Sequence, residues 1–213
     1  MMEDRGKSLS HRLDRVYGAT DVSDLEAAYD TWAESYDSDV NQLGHLIRTV
    51  STGYIGRYIP PDSKVLDAGA GTGLIGSYLK PMGYHDLTAI DLSSEMLKHA
   101  EARNCYRATY RMVLGEALDF GTDSFDHCYA VGVFTEGHAP ASAFEELIRV
   151  IRPGGYFVFS IRDDVYRERG YRLRMDRLEQ QGSWKVIDQS PVFQPYPEAH
   201  PDVRSRVFVY QVI

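Results

Sequence analysis

The sequence predicts an α/β fold with a mostly parallel sheet and helices on both faces. Three observations carry this. The apolar run Val65-Leu66-Asp67-Ala68 meets glycines at 69, 71 and 73 and continues into the apolar-periodic segment from Leu74, which reads as strand, tight turn and helix. Strand and helix signals then alternate as far as Ile161, the pattern of βαβ units. Two further strand-like segments, Trp184 to Ser190 and Arg204 to Val212, close the chain.

A chain of 213 residues with 43% apolar content fits one domain with a core between a sheet and two helix layers. Residues 1–20 read as an N-terminal arm that orders over a ligand, and residues 21–213 as a single domain whose helical cap spans 21–60. No window approaches the roughly 20 apolar residues of a membrane span, and Met1-Met2-Glu3-Asp4-Arg5 leads into polar sequence, so a cytoplasmic protein with no membrane partner is expected. The net charge of −8 argues against nucleic acid. Cys105 and Cys128 form no zinc or disulfide pattern, and the histidines show no metal-ligand spacing. No metal is implied.

Within the cap, Ser23-Asp24-Leu25-Glu26 is a capping box, and Leu25, Ala28, Tyr29, Trp32, Ala33 and Tyr36 follow at helical spacing. The opposite face, from Asp21 to Asp39, is acidic and reads as solvated unless it borders a ligand. Leu43, Leu46, Ile47, Val50 and Tyr54 mark a second helix that ends before Pro60-Pro61. After the glycine turn come a strand at Leu87 to Asp91, a helix capped by Ser93 or Ser94, and a strand at Arg111 to Leu114. A fourth strand, from about Asp126 to Val133, delivers Phe134 to His138 to the ligand-binding end of the sheet. Ser142-Ala143-Phe144-Glu145 reads as another capping box, and Arg152-Pro153-Gly154-Gly155 stops its helix before the strand at Tyr156 to Ser160. From Asp163 to Gln181 arginines interleave with acids, as in an ion-paired helix.

Two ligands compete for the glycine turn. Gly71-Thr72-Gly73-Leu74-Ile75-Gly76 matches the dinucleotide pattern G-x-G-x-x-G, with Asp91 twenty residues after Gly71. Asp67, at the strand end, repels a pyrophosphate and suits a ligand carrying positive charge. Read this way, Val65 to Gly73 resembles the first motif of the class I S-adenosylmethionine-dependent methyltransferases, D-x-G-x-G-x-G. The turn Val150 to Ser160 and the entry segment Tyr29-Asp30-x-Trp32-Ala33-x-x-Tyr36-Asp37 are similar to that family as well. Together with Ala130 to His138, these stretches resemble most the methyltransferase-like group of the Williams–Beuren critical region.

The resemblance implies a Rossmann-like seven-stranded sheet whose last strand is antiparallel, with S-adenosylmethionine as cofactor. Gly69, Gly71 and Gly73 would lie against its methionine and ribose part, with Asp67 nearby. Asp91, followed by Leu92, would accept from the ribose hydroxyls. Glu116 and the backbone of Ala117 would read the adenine, with Asp119 as the weaker choice. Val133 closes the fourth strand beside the cofactor, and Tyr36 closes the pocket. Methyl transfer needs a base only when the nucleophile must lose a proton, and His138 is the best-placed candidate, with Glu136 weaker. The segment after the fourth strand lacks the Asn-Pro-Pro-Tyr or Asp-Pro-Pro-Tyr of base-modifying enzymes and the Asp of magnesium-dependent catechol-type enzymes, so the expected acceptor is a small molecule. The acidic cap, Phe193 and Tyr196 would make a rim suited to a cationic acceptor. A protein acceptor, a non-catalytic cofactor-binding regulator and a nicotinamide-dependent oxidoreductase are the alternatives.

Overall fold

The computed structural model describes residues 11–42, 44, 46–197 and 200–213. A helix over 11–17 (α1) is followed by α2 (Val22–Gln42) and α3 (Leu46–Tyr58). Then come β1 (Val65–Ala68), α4 (Leu74–Leu79), β2 (Leu87–Asp91), α5 (Ser94–Ala102), β3 (Ala108–Arg111), β4 (His127–Phe134), α6 (Ala143–Val150) and β5 (Tyr156–Arg162). The chain continues through α7 (Asp163–Glu168), α8 (Tyr171–Gln180), β6 (Trp184–Gln189) and β7 (Ser205–Val212). The seven strands form one sheet in the order β3-β2-β1-β4-β5-β7-β6. The first five are parallel, and β7 runs antiparallel to both β5 and β6.

Alternate residues of each inner strand feed different cores, because side chains along a strand point to opposite faces. Leu66, Phe157, Phe159, Phe208 and Tyr210 pack with Phe144 and Leu147 of α6, Met175 and Leu178 of α8, and Trp184. Val65, Val158, Val207 and Val209 face the other way, against Ile55 of α3, Ile75 and Leu79 of α4, and Ile59 and Tyr84. Both faces of β1 and β2 are buried throughout, as a central parallel strand requires. The chain winds outward from β1 to β3 and returns through β4 on the other side, so the strand order reverses between β1 and β4. A crevice opens outside their C-terminal ends. Among the described residues no helix is long and apolar enough to cross a membrane.

Several local expectations are corrected. Residues 11–17 are helical, and Val16 packs with Leu25, Ala28 and Trp32 of α2, so this part of the expected arm belongs to the folded cap. Residues 1–10, and Leu43 of the second cap helix, lie outside the described residues. Asp21, rather than Ser23, caps α2: its Oδ1 accepts from the Asp24 N–H at 2.9 Å, and Ser23 already lies inside the helix. Ser142 has helical dihedrals (φ −68°, ψ −12°), and its side chain makes no capping bond. The third strand is Ala108–Arg111 instead of Arg111 to Leu114, because β2 supplies partners only from Thr88 to Asp91, opposite Ala108 to Arg111. Gly170, at φ 80°, breaks the expected single helix after Asp163 into α7 and α8. Ser93 caps α5 as expected, accepting from the Met96 N–H at 3.0 Å.

Candidate functional site

The floor of the site is the turn after β1. Gly69 and Ala70 donate their N–H groups to the Ile90 carbonyl at 2.8 and 3.0 Å, and the Gly71 N–H donates to Asp91 Oδ2 at 2.8 Å. The turn is thereby fixed to the end of β2. A Cβ on Gly69, at φ 80°, would come within 2.4 Å of Val133 Cγ2, so the close approach of the turn to β4 demands glycine. A Cβ on Gly71 would meet no atom within 4 Å. It would stand in the cavity that Gly71 helps to line.

Asp67 is 2% exposed and accepts from Tyr106 at 2.6 Å and Tyr129 at 2.8 Å. Burial pushes its carboxyl up to about 7; the two tyrosine hydroxyls pull against that, and Asp91 adds to it. Asp91 ends β2 with Oδ1 accepting from the Ser93 N–H at 2.9 Å. Burial raises its pKa too, against the backbone donors of Ser93, Gly71 and Leu92. Leu92 lines the cavity beside it, and Met112 to Glu116 form the next part of the wall. Glu116 is exposed at the rim, and Ala117 falls outside the lining, as does Asp119.

The roof is α2, and four of its acids, Glu26, Asp30, Asp37 and Asp39, have partners, while Asp24 and Glu34 stay exposed. Asp30 Oδ1 accepts from Ser93 Oγ at 2.5 Å and from the Glu95 N–H at 3.3 Å. Asp37 accepts from Thr72 Oγ1 at 2.5 Å and pairs with Arg103, whose Nε donates to the Thr72 carbonyl at 2.5 Å. Asp39 pairs with Arg12 of α1 and accepts from Trp32 Nε1 at 2.8 Å, while Glu26 pairs with Arg111 at 2.6 Å. These pairs hold the cap over the turn and the end of β2. The α2 side chains lining the cavity are instead mainly Leu25, Tyr29, Trp32, Tyr36 and Val40. Tyr196 joins them from the loop before β7, whereas Phe193 packs on the core and does not line the cavity.

β4 brings Val133, Thr135 and His138 to the same space. His138 Nδ1 lies 2.7 Å from the Glu136 carbonyl, which only accepts, so Nδ1 carries the proton. Nε2 is then an acceptor, and the Tyr29 hydroxyl donates to it at 2.6 Å. Burial lowers the His138 pKa, opposed by the bond to Glu136 and reinforced by Arg162. The Glu136 side chain pairs with Arg169.

Of the positions expected from sequence, Tyr36, Asp67, Gly69, Gly71, Asp91, Leu92, Glu116, Val133 and His138 line one cavity of about 550 Å³. Gly73 does not: a Cβ there would press on Tyr106 and Ala100 at 2.9 and 3.0 Å, which makes it a packing glycine behind the turn. Sequence reasoning missed Tyr106, Tyr129, Tyr29 as the partner of His138, and Arg48. None stands at a diagnostic spacing. The open space over Gly71, the ring of aromatic side chains and the acids at both strand ends fit a nucleoside joined to a small charged group. Among the described residues no cluster of three His, Cys, Asp or Glu side chains is placed to hold a metal.

Comparison with known proteins agrees. The family described as "Methyltransferase domain" matches residues 66–159. Human Methyltransferase-like protein 27 is 32% identical over 203 residues, covering 90% of this chain and 82% of that protein. A malonyl-[acyl-carrier protein] O-methyltransferase of Erwinia pyrifoliae is 36% identical over 140 residues, covering 64% of this chain and 50% of the relative, so the chain spans about half its length. The structure of a TehB-like SAM-dependent methyltransferase from Corynebacterium glutamicum shares the fold, with a TM-score of 0.64, 20% identity and coverage of 88% of this chain and 99% of that one. With its glycine turn, acidic strand ends and near full-length similarity to a methyltransferase-like protein, the chain belongs to the class I S-adenosylmethionine-dependent methyltransferases.

Proposed function

We propose that the chain methylates a nucleophile on a small molecule that enters between α2 and the end of β4, with His138 as general base and Tyr36 closing the pocket. The observation that carries this reading is the state of His138: a neutral imidazole, its Nδ1 proton committed to Glu136, presenting Nε2 as an acceptor into the cavity. S-adenosylmethionine supplies the methyl group when bound. The chain's own residues hold it through the backbone of Gly69 to Gly71, Asp91 and the wall from Met112 to Glu116. An acceptor hydroxyl or amine that displaces the Tyr29 hydroxyl gives its proton to Nε2 as it attacks. Aromatic walls exclude water, and alignment of the two reactants contributes about 7 to 11 kcal/mol where the geometry is near attack.

A second reading has specific support. The similarity to enzymes named for malonyl-[acyl-carrier protein], which covers 64% of this chain, favours an acceptor tethered to a carrier protein. Incubation with labelled S-adenosylmethionine and size-fractionated cell extract separates the two. Label in the low-mass fraction supports the small-molecule reading, label on protein supports the carrier reading, and tight cofactor binding without transfer would leave a non-catalytic binding protein.

A further inference from the structure

The base at the end of β4 already holds a stand-in for what it accepts. The group on His138 Nε2 is the phenolic O–H of Tyr29, at 2.6 Å, with the two ring centroids 5.6 Å apart and the planes at 72°. The Tyr17 ring of α1 meets the same imidazole at 5.7 Å and 62°. Leu25, Trp32, Tyr36 and Tyr196 continue the lining, so flat rings and apolar groups make up most of the wall on this side. Burial raises the Tyr29 pKa, which keeps the proton on its oxygen and leaves it a donor.

Charge and acidity select among the nucleophiles that could take the place of that hydroxyl. The acids lining the cavity are Asp67 and Asp91 at the strand ends, and Asp21 and Glu116 at exposed positions. Glu136 pairs with Arg169, and the charge that acts on His138 is the positive one of Arg162, which also lies over the Tyr17 ring at 5.7 Å. An ammonium acceptor would meet that charge instead of a counter-ion, at the cost of its own desolvation. A carboxylate brings no proton for Nε2 to take. An aliphatic alcohol is too weak an acid for a base whose pKa lies below the usual histidine value of about 6.5, whereas a phenol, at about 10, is within reach. A thiol is acidic enough but is a weak hydrogen-bond donor, and it would have to displace a phenolic O–H.

We propose that the acceptor is a phenol, an uncharged aromatic ring whose hydroxyl takes the place of the Tyr29 hydroxyl on His138. The proposal rests on the methyltransferase reading and names its substrate class, a neutral one in place of the cationic acceptor expected from the sequence. One phenolic hydrogen bond is exchanged for another, so the displacement is close to balanced. The phenolic oxygen forms its bond to the methyl carbon as its proton passes to Nε2, and the carbon–sulfur bond breaks with its electron pair left on sulfur. The products are an aryl methyl ether, S-adenosylhomocysteine and an imidazolium whose lowered pKa returns the proton to solvent. The charge of Arg162 favours the oxygen while negative charge develops on it.

Turnover of matched probes tests it. Wild type is incubated with S-adenosylmethionine and phenol, para-propylphenol or naphthol, and products are read by mass. For each probe the ring-saturated alcohol, the arylmethyl thiol and the arylmethyl amine are run in parallel. At least one phenol is expected to become its methyl ether, with kcat/KM about 10²-fold or more above its ring-saturated alcohol, the lower end of what a general base supplies. In Tyr29→Phe the KM for that phenol should fall by about 2- to 12-fold, the worth of the hydrogen bond that no longer has to be displaced. The proposal is overturned if the thiol or the amine is methylated as fast as the best phenol, or if a wild type that binds S-adenosylhomocysteine methylates none of the phenols. Neither result needs a variant to fold. It is equally overturned if Tyr29→Phe turns the phenol over with an unchanged or higher KM. Failure of wild type to bind S-adenosylhomocysteine at all would sink the methyltransferase reading, and the proposal with it, and is distinct from these outcomes.

Discussion

The Tyr29 hydroxyl donates to His138 Nε2 at 2.6 Å, joining the cap helix α2 to the loop after β4 across 109 residues of sequence. A donor at Nε2 favours the neutral ring, adding to the effect of burial. The acid limb of kcat/KM is therefore expected below the usual histidine pKa of about 6.5, and Tyr29→Phe should move it upward. His138→Ala should lower kcat by about 10²- to 10⁴-fold and remove that limb. Profiles that coincide for wild type and Tyr29→Phe would show that the contact does not tune the base.

Asp67 titrates near pH 7 because it is buried, and a cation placed before it favours the ionised form. Cofactor binding at pH 6 should then expel close to one proton, and at pH 8.5 almost none. Titrations in two buffers of different ionisation enthalpy measure this directly; heats that agree at pH 6 would contradict it. The sign for the unliganded chain is opposite to that of a typical carboxylate. The folded state keeps a proton that the unfolded state has released, so this group's contribution to stability falls as pH rises from about 4 to about 7.

Gly71→Ala places a methyl group in open space at φ 55°. The backbone cost is about 1 kcal/mol, while the methyl would stand in the place proposed for the cofactor. Affinity for S-adenosylhomocysteine should fall more than tenfold, with a small loss in melting temperature. Gly69→Ala should do the reverse damage, displacing Val133 and destabilising the fold. Equal losses of binding and stability in both variants would contradict the assignment.

Asp37→Ala removes the acceptor shared by Thr72 and Arg103. The expected cost is about 1 to 3 kcal/mol, with faster amide exchange along α2 and unchanged exchange in β1 and β5. Uniform exchange across the chain would mean that the cap does not open separately.

The floor of the site was legible because its residues answer to backbone constraints at fixed spacing: a strand end, a turn that approaches β4, and an acid at the next strand end. Gly73 shows the limit, since spacing alone did not separate a glycine that faces the cavity from one that makes room for Tyr106 and Ala100. The roof was not legible. Helical periodicity correctly placed Leu25, Trp32 and Tyr36 on one face of α2. It carried no information on where the acids of the other face would find partners, because Asp37 meets Arg103 at a separation of 66 residues and Asp30 meets Ser93 at 63.

The order in which the strands are made differs from the order in which they pair. β7, made after the other six strands, lies between β5 and β6 and bonds to both. While a ribosome is still short of Ser205, β5 has an open edge and β6 has no neighbour in the sheet. The parallel half, β1 to β5, can assemble on the ribosome around the glycine turn, whereas Phe159, Trp184 and Tyr210 come together only after β7 emerges. Until then the apolar edge of β5 is a pairing surface for other nascent chains.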